Sequence, residues 1–170
     1  VQRGYLAKMG LLTPIASEIK EVGTPIVPAQ WGDLETMTVS YGHGIAVTPL
    51  QMVRAVAVIA NGGWLVEPQM VKRTIDAKGR VIEIKPKQGR QIISRESAEI
   101  TTEMMINAVD NGEAKWAKPK GYRIAGKTGT AQIPVSGHYD NKKTIASFVG
   151  FAPADDPKFV MLVTLREPSS

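Results

Sequence analysis

Two apolar runs near the end of the chain, residues 145–151 and 159–165, are joined by Ala152-Pro153-Ala154-Asp155-Asp156-Pro157. The proline-bounded connection makes a turn, so the runs read as an antiparallel hairpin of two interior strands. Such strands need apolar cover, and the sequence upstream offers it. Thr48-Pro49-Leu50-Gln51 supplies an N-cap, a proline at the first helical position and a glutamine three residues after the cap. The helix that follows, apolar almost all round through residue 60, stops at Asn61-Gly62-Gly63 and belongs inside a domain. A second helix opens near Ser94, carries Ile100, Met104, Met105, Ala108 and Val109 on one face, and ends at Asn111-Gly112. Its methionines serve as core filler. Residues 71–75 and 81–84 alternate in polarity across Asp76-Ala77-Lys78-Gly79 and form a peripheral hairpin, while residues 122–132 make one strand rich in small side chains. Helices early and adjacent strands late predict an α+β fold, an antiparallel sheet packed with helices.

Length and composition narrow the function classes. A chain of 170 residues is one domain or most of one, and 43% hydrophobic with 22% charged residues excludes disordered, collagenous and coiled-coil proteins. Without cysteine there is no disulfide scaffold, zinc-thiolate site or thiol nucleophile. No stretch approaches the roughly 18 apolar residues that cross a bilayer. The best candidate, residues 45–60, is broken by Thr48, Pro49, Gln51 and Arg54. The start at Val1 and the stop directly after an apolar run lead us to expect a piece of a longer protein, with any membrane anchor outside it.

The segment from Gly121 to Thr130 admits two chemistries. Its letters satisfy the phosphate-loop pattern, a glycine, four residues, then Gly126-Lys127-Thr128. A phosphate loop must open a helix, however, and the β-formers within it and Gly129, Pro134, Ser136 and Gly137 after it argue against one. The other reading is an exposed strand that receives an extended peptide. There Gly129 lets a ligand backbone lie close, Thr128 and Thr130 offer hydroxyls to a carboxylate, and Lys127 adds a fixed charge that also tunes a neighbouring hydroxyl nucleophile. Residues 113–143 carry seven cations against two acids, equal to the chain's whole excess of +5, which suits an anionic partner. His138, Asp140 and Ser136 hold the letters of a hydrolase triad but are sequence neighbours, and a polar loop is expected there. His43, between Gly42 and Gly44, is expected to be held by local hydrogen bonds. No paired metal ligands appear.

Ala125-Gly126-Lys127-Thr128-Gly129-Thr130-Ala131-Gln132, then Ala146-Ser147-Phe148-Val149-Gly150-Phe151-Ala152-Pro153, with Tyr41-Gly42-His43-Gly44-Ile45-Ala46-Val47-Thr48-Pro49-Leu50-Gln51 upstream, resemble the transpeptidase domain of class B penicillin-binding proteins. The likeness covers nearly the whole chain, and Trp31-Gly32-Asp33-Leu34-Glu35-Thr36 with the Gly-His-Gly segment is most similar to the division-type members. The resemblance implies a serine β-lactamase/transpeptidase-like fold, with residues 1–170 as the C-terminal part of one domain. It implies a periplasmic peptidoglycan D,D-transpeptidase that crosslinks stem peptides through an acyl-serine and is a penicillin target. It gives Lys127 a place in the proton-transfer and charge network, and gives Thr128 and Thr130, on either side of Gly129, the terminal carboxylate of the donor D-Ala-D-Ala. The backbone N–H of Thr130 joins the oxyanion hole, so Lys127 and Thr130 carry the catalytic roles. The implied partners are stem peptides and β-lactams and, for the full-length protein at the periplasmic face of the inner membrane, a membrane glycan polymerase and division proteins. No cofactor, metal or nucleic acid is implied.

The family's other two elements are missing. No Ser-x-Asn occurs, and the sole Ser-x-x-Lys, Ser17-Glu18-Ile19-Lys20, is followed too soon by Gly23 and Pro25 to open a helix. The nucleophile is therefore expected upstream, and this chain alone is expected to be inactive. Two other readings stand beside this one: a noncatalytic module that captures anionic peptides or cell-wall strands through residues 113–143, and a nucleotide-binding protein built on residues 121–128.

Overall fold

A computed structural model of the chain describes residues 1–18, 21–115, 118–135 and 138–168. Four helices and seven strands follow in the order α1 (Gln2–Lys8), α2 (Asp33–Ser40), α3 (Pro49–Ala60), β1 (Trp64–Val66), β2 (Arg73–Ile75), β3 (Val81–Glu83), β4 (Gln88–Gln91), α4 (Arg95–Asp110), β5 (Ala125–Val135), β6 (His138–Ala152) and β7 (Phe159–Arg166). The chain divides into two compact units, Val1–Val58 with Trp64–Ile93, and Ile59–Gly63 with Ser94–Ser170.

In the first unit, α3 starts where its cap predicts. The Gln51 N–H donates to Thr48 Oγ1 at 3.2 Å, and the Thr48 N–H donates to Gln51 Oε1 at 2.9 Å. Gln51 is 1% exposed, and its Nε2 also donates to the carbonyls of Gly10 and Thr13, at 3.1 and 2.9 Å. One capping residue thus satisfies two helix-terminal groups and two loop carbonyls that lie far away in sequence. Val58, Leu65 and Ile92 form a buried cluster with Met9 and Ile93 packed against it. β1 and β4 pair antiparallel, with a register shift between Trp64 and Val66. A Cβ on Gly89 would lie 2.0 Å from the Leu65 carbonyl oxygen, so glycine is what permits this pairing. The β2–β3 hairpin forms as predicted and is exposed along both strands.

The second unit is one helix on one sheet. Ser94 caps α4, its Oγ accepting the Ser97 N–H at 3.1 Å. The buried stripe of α4 is Ala98, Met105, Ile106 and Val109, and α4 packs on β5. Ile100 and Met104, expected on that face, are 51% and 65% exposed. At 100° per residue the stripe through Ala98, Met105, Ile106 and Val109 leaves Met104 about 140° and Ile100 about 180° from its centre, on the far side of the helix.

The sheet has the order β5-β6-β7, all antiparallel. Among the described residues only β6 has a strand on both sides. β7 lies at an edge, with Phe159, Met161, Val163 and Leu165 exposed and Val160 and Leu162 half-buried. The expectation of two interior strands is therefore half right. Apolar content cannot tell a strand covered on both faces from one covered on a single face. β6 begins at His138, well before its apolar run, because it stays paired to β5 through polar residues across a register shift at Gln132/Ile133.

Candidate functional site

β5 carries Lys127-Thr128-Gly129-Thr130 and has β6 on one side only, so among the described residues its other edge is free. In antiparallel pairing alternate backbone groups of such a strand point away from its neighbour, ready to accept another extended chain. The register sets Lys127 opposite Val149, Thr128 opposite Phe148, Gly129 opposite Ser147 and Thr130 opposite Ala146.

Two glycines divide the strand into a packed half and an open half. A Cβ on Gly126 would lie 2.3 Å from Phe148 Cζ, and one on the facing Gly150 would lie 2.6 Å from the Ala125 carbonyl oxygen. The Phe148 ring rests where those side chains would be. A Cβ on Gly129 would meet nothing within 4 Å. No packing inside the chain requires glycine there, and its bare backbone faces open space. Lys127, Gly129 and Thr130 are exposed and Thr128 is half-buried.

The polar groups form a short relay. Lys127 Nζ donates to the Thr128 carbonyl at 3.0 Å and to Thr128 Oγ1 at 3.4 Å, and Thr128 Oγ1 donates to Glu113 Oε2 at 3.4 Å. Sequence reasoning missed Glu113, a carboxylate in the α4–β5 connection. Below the strand, Arg123 donates to both Glu103 oxygens, at 3.1 and 3.0 Å, and to Asp155, while its carbonyl accepts the Ala154 N–H at 2.8 Å. Asp155 first, and Glu103 after it, hold the guanidinium pKa above its ordinary value. The start of β5 is thereby tied to α4 and to the β6–β7 turn.

The other sequence candidates separate from this strand. The phosphate-loop pattern fails, since Lys127 and Thr128 lie inside β5 and, among the described residues, no helix follows them. Ser17 sits in irregular backbone of the first unit, and Ile19 and Lys20 are outside the described residues. The backbone N–H of His43 donates to the Thr38 carbonyl at 3.0 Å, and its ring meets Tyr41 edge-on at 5.2 Å, so both of these contacts are local. Gly42 and Gly44 have φ of +89° and +76°, so the turn on either side of His43 favours glycine at both positions. His138 and Asp140 belong to β6, paired with Val135 and Ile133 and not in a loop, while Ser136 lies outside the described residues.

The charge of residues 113–143 is also less available than counting suggests. Lys118 binds Asp110 at 2.5 Å, Arg123 is held by Glu103 and Asp155, and Lys143 lies 3.9 Å from Glu167. All four acids come from outside the window. Nor is the excess confined to it, for residues 72–90 also carry seven cations against two acids. Among the described residues no group of three metal-ligating side chains occurs, and no helix is long and apolar enough to cross a membrane.

The comparisons converge on one kind of protein. The family model for the penicillin binding protein transpeptidase domain matches residues 2–170. Stage V sporulation protein D of Bacillus subtilis is 40% identical over 168 residues, which is 96% of this chain and 26% of that protein. Peptidoglycan D,D-transpeptidase FtsI of Buchnera aphidicola is 36% identical over 144 residues, 82% of this chain and 24% of that protein. The crystal structure of penicillin binding protein 3 from Mycobacterium tuberculosis complexed with aztreonam superposes with a TM-score of 0.90 at 30% identity, covering 98% of this chain and 40% of that one. The chain thus spans about a quarter of the length of these curated relatives.

Proposed function

We propose that this chain, which belongs to the penicillin binding protein transpeptidase domain family, supplies the substrate-binding strand of a peptidoglycan D,D-transpeptidase. The observation that carries the reading is the free edge of β5, where Lys127, Thr128, Gly129 and Thr130 stand exposed or half-exposed beside a glycine that no internal contact requires. An extended stem peptide adds to that edge through its backbone, and its terminal carboxylate takes hydrogen bonds from the Thr128 and Thr130 hydroxyls. Lys127 supplies the positive charge that favours the carboxylate and takes part in proton transfer with the serine. The Thr130 N–H stabilises the oxyanion as the serine adds to the penultimate D-Ala carbonyl and the terminal D-Ala leaves.

The serine and the Ser-x-Asn element are not among these 170 residues. We assign both to chain outside them. The same reading makes β-lactams ligands of the site, as aztreonam is of the Mycobacterium tuberculosis relative. It also puts the whole protein at the periplasmic face of a membrane, working with a glycan polymerase and division proteins.

Titration of this chain with a peptide ending in D-Ala-D-Ala and with its C-terminal amide tests the strand. Binding at least tenfold weaker for the amide, and lost in Thr128→Ala with Thr130→Ala, is the expected result. Equal binding of acid and amide would turn the site into a general anion surface. A labelled penicillin is expected to leave the chain unmodified, and covalent label on Ser17 would overturn the assignment of the nucleophile.

A further inference from the structure

The first unit contains a cleft of about 870 Å³, well removed in sequence from β5, and its charge is lopsided. Lys8, Lys85, Lys87 and Arg90 line it together with Arg54, Glu18 and Glu67. Both carboxylates are already engaged. Glu67 accepts two hydrogen bonds from the Arg54 guanidinium, each 2.7 Å, and Glu18 Oε2 accepts the backbone N–H groups of Met70 and Val71, at 2.7 and 3.1 Å. Lys8 lies 5.3 Å from the Tyr5 ring centroid, and among the described residues none of Lys8, Lys85, Lys87 and Arg90 has a carboxylate partner.

The cleft walls are built. Arg54 is only 10% exposed along its side chain and is fixed further by its Nε bond to the Val66 carbonyl at 3.0 Å. Gly10, at φ +77°, makes room for it, since a Cβ there would fall 2.3 Å from the Arg54 guanidinium. On the other wall Gly89 brings β4 against the Leu65 carbonyl and so fixes the backbone that carries Lys87 and Arg90. Four like charges, all on exposed side chains, line one recess and repel one another, and an anion that enters it relieves that repulsion. A single carboxylate satisfies one or two of them. A phosphate group with several charges and forked acceptor oxygens satisfies more, and Arg90 offers the matching donor fork.

We propose that this cleft binds a multiply charged phosphate, either free or carried on a lipid headgroup. The test is calorimetric titration of the chain with tripolyphosphate and with citrate, and flotation with vesicles containing phosphatidic acid or of phosphatidylcholine alone. Lys85→Gln with Lys87→Gln is compared with Lys115→Gln with Lys120→Gln, which removes the same charge from the second unit. Circular dichroism establishes that each variant is folded, and Lys8→Gln serves if the first pair is not.

The expected result is salt-sensitive binding of tripolyphosphate, or of the phosphatidic acid vesicles but not the phosphatidylcholine ones, weakened at least tenfold by the cleft pair and less than twofold by the other pair. Vesicle binding without tripolyphosphate binding identifies a lipid headgroup as the source. Binding to neither, equal loss in both pairs, or citrate binding as tight as tripolyphosphate would overturn the proposal.

Discussion

Gly126 and Gly129 stand three positions apart on β5 and answer to different neighbours. A methyl group at Gly126 would enter the Phe148 ring, so Gly126→Ala is expected to lower stability by about 1–3 kcal/mol through overpacking, read as a lower denaturant midpoint. Gly129→Ala meets no atom of the chain and is expected to leave that midpoint within about 0.5 kcal/mol, while abolishing carboxylate-dependent peptide binding. The pair separates a packing role from a ligand role in two assays. Both glycines are visible as letters, but only Lys127 to Thr130 read as a candidate site, through motif and resemblance. The packing demand at Gly126 comes from Phe148, and a contact between residues so far apart in sequence waits on strand register. Glu113 and the Arg123 ties escaped notice for the same reason, because their partners are joined by the fold and not by spacing.

Helix caps explain which elements could be read in advance. α3 and α4 announce themselves with Thr48 and Ser94, side chains that make the capping bonds seen in the structure. α1 has no side-chain cap and no buried residue, and α2 buries only Val39, so neither leaves a periodic signal. α2 instead depends on a charge. Its Gly32 N–H donates to Glu35 Oε2 at 2.8 Å, and that bond, with a further one from the Glu35 backbone, holds the carboxyl pKa below the usual range. A folded-state value below the unfolded value of about 4.3 means that the cap stabilises α2 above that pH and is lost as pH falls through the lowered value. Protection of the amides of residues 33–36, taken relative to their intrinsic exchange rates, is therefore expected to fall below about pH 4 in the native protein. In Glu35→Gln the acid-dependent step is expected to vanish. An unchanged pH profile in the variant would mean that the carboxylate does not hold the helix start.

The exposed face of β7 sets how the molecule behaves in solution. Phe159, Met161, Val163 and Leu165 form an apolar row, 48–57% exposed, on a strand whose outer edge is free among the described residues. Rows of this kind drive edge-to-edge or face-to-face association. The chain is expected to self-associate with rising concentration in sedimentation equilibrium, and Met161→Lys with Leu165→Lys to move it toward the monomer. Sequence located this strand but not its exposure, since hydropathy reports what a strand is made of and not what covers it. The order β5-β6-β7 gives one small sheet two unlike margins. A visiting peptide that reaches the first meets ammonium, hydroxyls and bare backbone, while one that reaches the second meets an oily row broken only by Thr164 and Arg166. Sorting of polar from greasy visitors is thus written into strand order itself and asks for no moving gate.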